Sequence, residues 1–378
     1  MNTTSIKSPL PIFRIGSVIV IAVAAWDSAA AADLDLLQPI TRIAVGSCVR
    51  QDKPQPIWAA VARSQPDVFL MLGDNIYGDT EDMTVLRQKY ALLAANEGFA
   101  AFRRSVPIIA VWDDHDFGSN DAGREYPMRR ESQKVFLDFF GVPAAAPLRR
   151  QEGIYQAVTA GPPGRRVQFI CLDTRYHRSP LATLPAVDRR PGDGLYRPTD
   201  DPAATVLGDE QWAWLEHSLQ EPAEVRIVLS SIQVACTDHH WEHWGNFPAE
   251  RARLFKLIRD SAACGVIFVS GDRHAAEISR IPASPDAAGY PLYDLTASSL
   301  NQPKPAVMGR DANPLRLGPH QRGVNFGTIE IDWTGGEAAG PAGASLTLAI
   351  RDVAGTTVHA ERVPLAELAP AIAAAPSR

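Results

Sequence analysis

Four short motifs in this 378-residue chain carry residue types that do chemistry: GSC at 46–48, GDNIYGD at 73–79, WDDHDFGSND at 112–121 and SGDRH at 270–274. Together they hold Cys48, Tyr77, Asn120, His115, His274 and a run of aspartates, with Arg273 as their one arginine. Carboxylates gathered without an equal number of basic groups repel one another, and cations remove that penalty. A metal site is the economical explanation. Carboxylate and amide oxygens suit hard ions such as calcium or ferric iron, whereas a thiolate and a phenolate are stronger donors and suit a trivalent ion. Taken singly, each residue has an ordinary role. Asp74 is a turn residue after Gly73, Asp113, Asp114 and Asp116 cap a helix, Tyr77 is a packed aromatic, Cys48 a buried thiol and His274 a core histidine. The joint pattern, four such motifs in one chain, favours the metal.

Each motif needs an element to present it, and each follows a short apolar run. Thr41 to Val45 leads into GSC, Val68 to Leu72 into Gly73-Asp74, Val106 to Trp112 into the Asp-rich motif and Val266 to Val269 into SGDRH. A fifth run, Val225 to Leu229, leads into Ser230-Ser231. Such runs suit strands buried on both faces. Helical patterns alternate with them at Pro56 to Ser64, Met83 to Ala95, Arg130 to Phe140, Asp209 to Leu219 and Ala249 to Ala263. The alternation predicts a layered α/β fold, in which ligand sites sit at strand C-terminal ends. Further strands are expected at Val167 to Leu172, Ala275 to Ile281, Gly327 to Ile331 and Ser345 to Arg351, the last ones antiparallel and suggesting a second sheet.

The first thirty-odd residues read as a secretory leader. Lys7 and Arg14 form a basic start, Ile15 to Trp26 an uncharged apolar stretch, and Ala29 to Ala32 a small-residue cleavage site before Asp33. A retained anchor is the alternative, although the apolar run is shorter than the roughly 20 residues a bilayer needs. The expected organisation is a leader over 1–32, one domain over 33–364 and a disordered Ala/Pro-rich tail over 365–378, in a periplasmic or secreted protein. A net charge of −6 argues against nucleic acid as a dedicated partner. Of the four cysteines, 171 and 264 read as buried thiols, and a ligand role for Cys48 leaves at least one other thiol unpaired. Residues 177–205 hold five prolines and no periodicity, which reads as a surface excursion or as a loop over the site.

In motif order and spacing the chain resembles the PhoD-like (alkaline phosphatase D) branch of the binuclear metallophosphoesterase superfamily. The wider pattern is D-x-H, GDxxD, GNH[DE] and GHxH; here those positions read GSC, GDNIY, DDHD and GDRH. The resemblance runs from about Arg42 to Asn325 and includes LDTRYHR at 172–178, LGDEQWAWL at 207–215, SSIQV at 230–234 and WGNFPAERARL at 244–254. Where the wider pattern has Asp and His, this chain has Gly46, Cys48, Tyr77 and Asp272, as the branch does. The resemblance implies a four-layer α/β/β/α sandwich, a ferric ion with calcium, and phosphomonoester or phosphodiester substrates, small or polymeric. It implies that Cys48 and Tyr77 bind iron, that Asp74 bridges the ions, and that Asp114, Asn120, Asp272 and His274 complete the shell.

Two close cations clamp an in-line displacement at phosphorus, and a metal-bound water that loses its proton near neutral pH serves as nucleophile. Arg273 is then either a clamp on the phosphoryl oxygens or half of a structural ion pair. His115 is either a contact to phosphate or leaving group, or a support for a ligand carboxylate. A phosphomonoesterase with phosphodiesterase activity is the expectation. A dedicated phosphodiesterase or a hydrolase of the phospholipase D type is the next reading, and an iron-tyrosinate oxidoreductase a remote one. His239, His240 and His243 in TDHHWEHWGNF are expected near the substrate mouth rather than as a zinc site.

Overall fold

Val68–Leu72 and Val266–Ser270 are buried along their whole length, so each lies in a sheet covered on both faces. The computed structural model describes residues 32–190, 194–303, 312–334 and 343–370; the leader expected over 1–32 lies, but for Ala32, outside them. In chain order the strands and helices are β1 (Arg42–Gly46), α1 (Ile57–Arg63), β2 (Val68–Leu72), α2 (Met83–Ala95), α3 (Glu97–Ser105), β3 (Ile108–Val111), α4 (Asp114–Phe117), α5 (Arg129–Phe139), β4 (Gln156–Ala160), β5 (Val167–Cys171), α6 (Gly208–Gln220), β6 (Val225–Leu229), α7 (Pro248–Asp260), β7 (Val266–Ser270), β8 (Ala276–Ile281), β9 (Leu292–Ala297), β10 (Arg316–Gln321), β11 (Asn325–Asp332), β12 (Ser345–Asp352) and β13 (Thr357–Pro364).

They build two sheets, ordered β13-β12-β11-β1-β2-β3 and β10-β8-β9-β7-β6-β5-β4. In the first, β1, β2 and β3 are parallel and β11 runs antiparallel to β1. In the second, β5, β6, β7 and β9 are parallel, flanked by antiparallel partners. The sheets face each other closely enough that a Cβ at Gly327 of β11 would lie 3.0 Å from Leu295 Cδ2 of β9. Helices cover the outer faces. Trp58 of α1 meets Phe69 of β2 edge-on at 5.6 Å, and Gln168 of β5 donates to Ser218 O of α6 at 2.8 Å. The architecture is the expected α/β/β/α sandwich.

Three features differ from the sequence reading. The antiparallel strands β11, β12 and β13 extend the first sheet instead of founding the second, because β1 leaves an edge that β11 pairs through Arg42–Glu330 to Val45–Gly327. The strand expected over Val106 to Trp112 is shortened to β3, because Val106 closes a further helix, α3, by donating its N–H to Phe102 O at 3.0 Å, and Pro107 has no N–H to pair. The tail does not begin at 365, because Leu365–Leu368 forms a 3-10 turn with both leucines buried. Residues 371–378 lie outside the described residues.

Candidate metal centre

The C-terminal ends of β1, β2, β3 and β7 converge, and a parallel bridge between Ser47 and Ser298 ties the two sheets together there. Cys48 follows β1, Asp74 follows β2, Asp113 and Asp114 follow β3, and Asp272 and His274 follow β7. The backbone at this convergence is unusual. Cys48, Asp74, Asp79, Asp121, Asp272 and His274 all have positive φ, between 46° and 66°. Non-glycine residues adopt this region at a cost, and such strain gathers where function fixes a side chain. Gly73 (φ 96°) has a second constraint, since a Cβ there would lie 2.4 Å from Asp113 Cβ. Glycine lets the β2 and β3 turns approach.

The side chains form overlapping donor groups. In each of the sets Cys48–Asp74–His274, Asp74–Asp114–His115 and Asp113–Asp114–Asp272, one ligand atom per residue lies within 4.8 Å of the others. Asp74 belongs to two of these sets. Its Oδ2 accepts from Cys48 Sγ at 3.3 Å, while its buried Oδ1 has no hydrogen-bond partner among the described residues. Tyr77 Oη and His274 Nε2 lie 2.8 Å apart, and Ser298 Oγ lies 3.1 Å from Cys48 Sγ while accepting the His274 N–H at 2.7 Å.

The electrostatics of the bare site are unfavourable. Burial, then the charges of Cys48, Asp114, Asp113 and Asp116, push the Asp74 carboxyl well above its usual range. Burial lifts the Cys48 thiol to about 11, and it lifts Asp272 to about 7 against the pull of Arg273. Burial also raises the Tyr77 phenol strongly. Asp114 goes the other way. His115, Arg175 and the Asp121 N–H outweigh its burial and hold it below the ordinary carboxylate range. Thiol, phenol, imidazole and several carboxylates within ligand distance, one oxygen of them orphaned, fit a pair of cations sharing Asp74.

A second group of buried charges abuts the first. Arg175 and Arg178, from the segment after β5, are fully buried. Arg175 donates from Nε to Asp113 Oδ1 at 2.6 Å and from Nη1 to Glu242 Oε2 at 2.7 Å, and Arg178 Nε lies 3.0 Å from Glu242 Oε1. Ser231 Oγ donates to the same Asp113 oxygen at 2.5 Å. Glu242 also groups with Asp114 and Asp121 within 4.8 Å.

With this geometry in hand, comparison with known proteins is decisive. The family described as PhoD-like phosphatase matches residues 43–322. This chain belongs to that family. It is similar to alkaline phosphatase D of Bacillus subtilis (strain 168), with 23% identity over 261 residues; the match covers 58% of this chain and 43% of that relative, so it spans less than half the relative's length. Among solved structures it resembles one titled "Structure of PhoD" (TM-score 0.66, 17% identity, 89% of this chain and 70% of that one). It also resembles purple acid phosphatase PPD1 from yellow lupin (TM-score 0.53, 12% identity, 89% and 55%). At these identities the structural likenesses show the fold.

In this PhoD-like chain the structure brings Cys48, Asp74, Tyr77, Asp114, Asp272 and His274 together. Asn120 is the exception. It is exposed and spends its amide on Asp121 Oδ2 at 2.6 Å. Asp121 is the residue turned inward, its N–H bonding Asp114 Oδ2 at 2.6 Å. His115 lies beside Tyr77, with ring centroids 4.2 Å apart, and its Nδ1 is 2.8 Å from Asp79 Oδ1. Burial alone would lower its pKa, but Asp114 and Asp79 prevail and raise it to about 9. Arg273 is buried, 3.9 Å from Asp272 Oδ2.

The 177–205 segment is joined to the site: Tyr196 donates to Asp121 Oδ2 at 2.6 Å and helps line a cavity of about 580 Å³ beside Asp79 and Asp121. His239 and His243 engage Gln233 Oε1 and the His239 carbonyl, at 2.9 and 3.0 Å. All four cysteines are free thiols. Sequence reasoning missed Asp79, Asp121, Arg175 and Glu242 as parts of the site. Each lies inside a recognised motif, but the motif alone does not say which carboxylate faces which neighbour.

Proposed function

We propose that this chain is an exported, metal-dependent hydrolase of phosphoric esters, a phosphomonoesterase with phosphodiesterase activity. The observation that carries the reading is Asp74, a buried carboxylate shared by two donor groups with one oxygen left unsatisfied. Cys48, Tyr77 and His274 would hold a ferric ion on one side of Asp74. Asp114 and Asp272 would hold calcium on the other. Two cations held there would supply an activated water and would neutralise charge on the phosphoryl oxygens.

The chain's own residues do the remainder. His115, fixed through Nδ1 by Asp79, holds a proton on Nε2 for the departing alkoxide. Arg273 contacts an equatorial phosphoryl oxygen. Export rests on the leader pattern, and the N-terminal sequence of the protein recovered outside the cytoplasm should begin at Asp33.

Hydrolysis of an aryl phosphomonoester and the matching diester tests the reading. We expect both to be cleaved, activity to vanish on chelation and to return with iron and calcium. Chelator-resistant turnover would exclude the metal role. Diester cleavage alone would favour the dedicated phosphodiesterase, and oxygen consumption without phosphate release the oxidoreductase.

A further inference from the structure

One aromatic residue near the centre is pinned on both sides. His239 is buried and bonds Gln233 Oε1 at 2.9 Å. Gln233 Nε2 in turn donates to Glu277 Oε1 at 2.7 Å and Thr296 Oγ1 at 2.9 Å, on β8 and β9. Glu242 is buried between Arg175 and Arg178. Between these two anchors lies Trp241, half-buried, its backbone N–H donating to His239 Nδ1 at 3.2 Å. Neighbours locked into different parts of the core fix the backbone that carries the indole. A further tie comes from the long segment, where the Tyr196 N–H donates to the His240 carbonyl at 2.8 Å.

The Arg273 guanidinium carbon lies 5.4 Å from the Trp241 ring centroid, within range of a cation–π contact. Arg273 sits between two donors of the centre, Asp272 and His274, whose positive φ values fix the backbone on either side of it. Its long side chain has several free torsions that the backbone does not fix. The indole, with only two side-chain torsions on an anchored backbone, stands against the guanidinium and supplies what the Arg273 backbone cannot.

We propose that Trp241 is a positioning residue: its ring holds the Arg273 guanidinium in the orientation that meets a phosphoryl oxygen. Trp241 therefore acts on phosphate affinity through Arg273 rather than by touching the substrate. This rests on the reading of Arg273 as a phosphoryl contact.

A double-mutant cycle tests it, with inorganic phosphate as the probe of the metal-loaded protein and binding read by calorimetry. Trp241→Leu should weaken phosphate binding about fivefold, the scale of one partly exposed cation–π contact. KM for an aryl phosphate should rise in parallel while kcat stays within about twofold. Metal content and the unfolding midpoint should not move, and Trp241→Phe should restore most of the affinity. In an Arg273→Met background, Trp241→Leu should change nothing further. An equal loss in that background would overturn the proposal in favour of a direct substrate contact. Unchanged affinity in Trp241→Leu, or a Phe variant no better than Leu, would also overturn it. Phosphate binding is measured without turnover, so a protein that binds phosphate but hydrolyses nothing would sink the hydrolase reading and leave the cycle interpretable.

Discussion

Two groups of buried carboxylates share the strand-end face, and they are neutralised in different ways. Asp113 and Glu242 are met by the guanidinium groups of Arg175 and Arg178. Asp74, Asp114 and Asp272 face one another, a thiol and a phenol, with Arg273 at 3.9 Å as a distant counter-charge. Burial pushes Asp113 up as well, and Arg175 opposes it. For Asp74 every leading influence is in the same direction, upward. Neighbouring aspartates after β3 thus serve opposite ends. Asp113 is bonded by the protein's own guanidinium and holds three loops together, whereas Asp114 faces the Asp74 group and feels the side-chain charges of His115 and Arg175 only through their field. Counting carboxylates in a motif does not count ligands.

The comparison can be broken most severely at Asp74. Asp74→Asn removes the shared donor and should lower kcat/KM by about 10³-fold or more, as loss of several kcal/mol of metal-borne stabilisation implies. The same change relieves repulsion in the metal-free protein, so its unfolding midpoint should hold or rise. A fall in that midpoint would mean that Asp74 is already satisfied by the protein. Arg175→Met attacks the other group. It strands Asp113 and Glu242 in the interior and should cost about 3–5 kcal/mol of stability in denaturant melts, with or without metal. A variant rescued fully by added cations would erase the distinction between the groups.

A smaller effect follows at the rim. Asp79→Asn keeps the size of the His115 partner and removes its charge, and loss of such a support typically costs about 10–100-fold. Asp79 is among the groups that raise His115 toward about 9. The alkaline limb of the pH–rate profile should therefore move to lower pH; a profile that stays put would remove His115 from proton transfer.

The mildest test is pH alone. Asp116 and Asp272 are raised to about 7, and His115 to about 9. For a group whose folded pKa exceeds its unfolded value, the stabilisation is present below the unfolded pKa and is lost as pH rises through the folded one. Metal-free protein should lose stability over about pH 4 to 7 as Asp116 and Asp272 ionise, and over about pH 6.5 to 9 as His115 loses its proton, by on the order of a few kcal/mol per group at most. Bound cations should flatten the Asp272 part of the slope below about pH 7, and a slope there unchanged by metal would place Asp272 outside the centre.

Much of this was legible in the sequence, for physical reasons. A strand buried on both faces must be a short apolar run, so β2 and β6 stand where the runs do, from Val68 to Leu72 and from Val225 to Leu229. Turns that place a donor need particular residues, so Gly73-Asp74 and Gly271-Asp272 mark the site. Pairing between distant strands left no local trace, and β11 therefore joined β1 unannounced across nearly 280 residues of chain. The direction of a side chain within a loop is likewise tertiary. Asn120 and Asp121 are adjacent polar residues of one motif, and the close packing of the Tyr196 segment decides which turns inward. Glu242 sits among three histidines in sequence, while its own partners, Arg175 and Arg178, come from a motif more than 60 residues away.

The central claim is that the Asp74 group is built for cations and the Arg175 group is not. Metal analysis of the purified protein, with the visible spectrum of the same sample, tests it most directly. The account predicts about two bound ions, one of them iron, with a tyrosinate-to-iron band that disappears in Tyr77→Phe. Protein free of metal after reconstitution, or holding two zinc ions and no band, would contradict it.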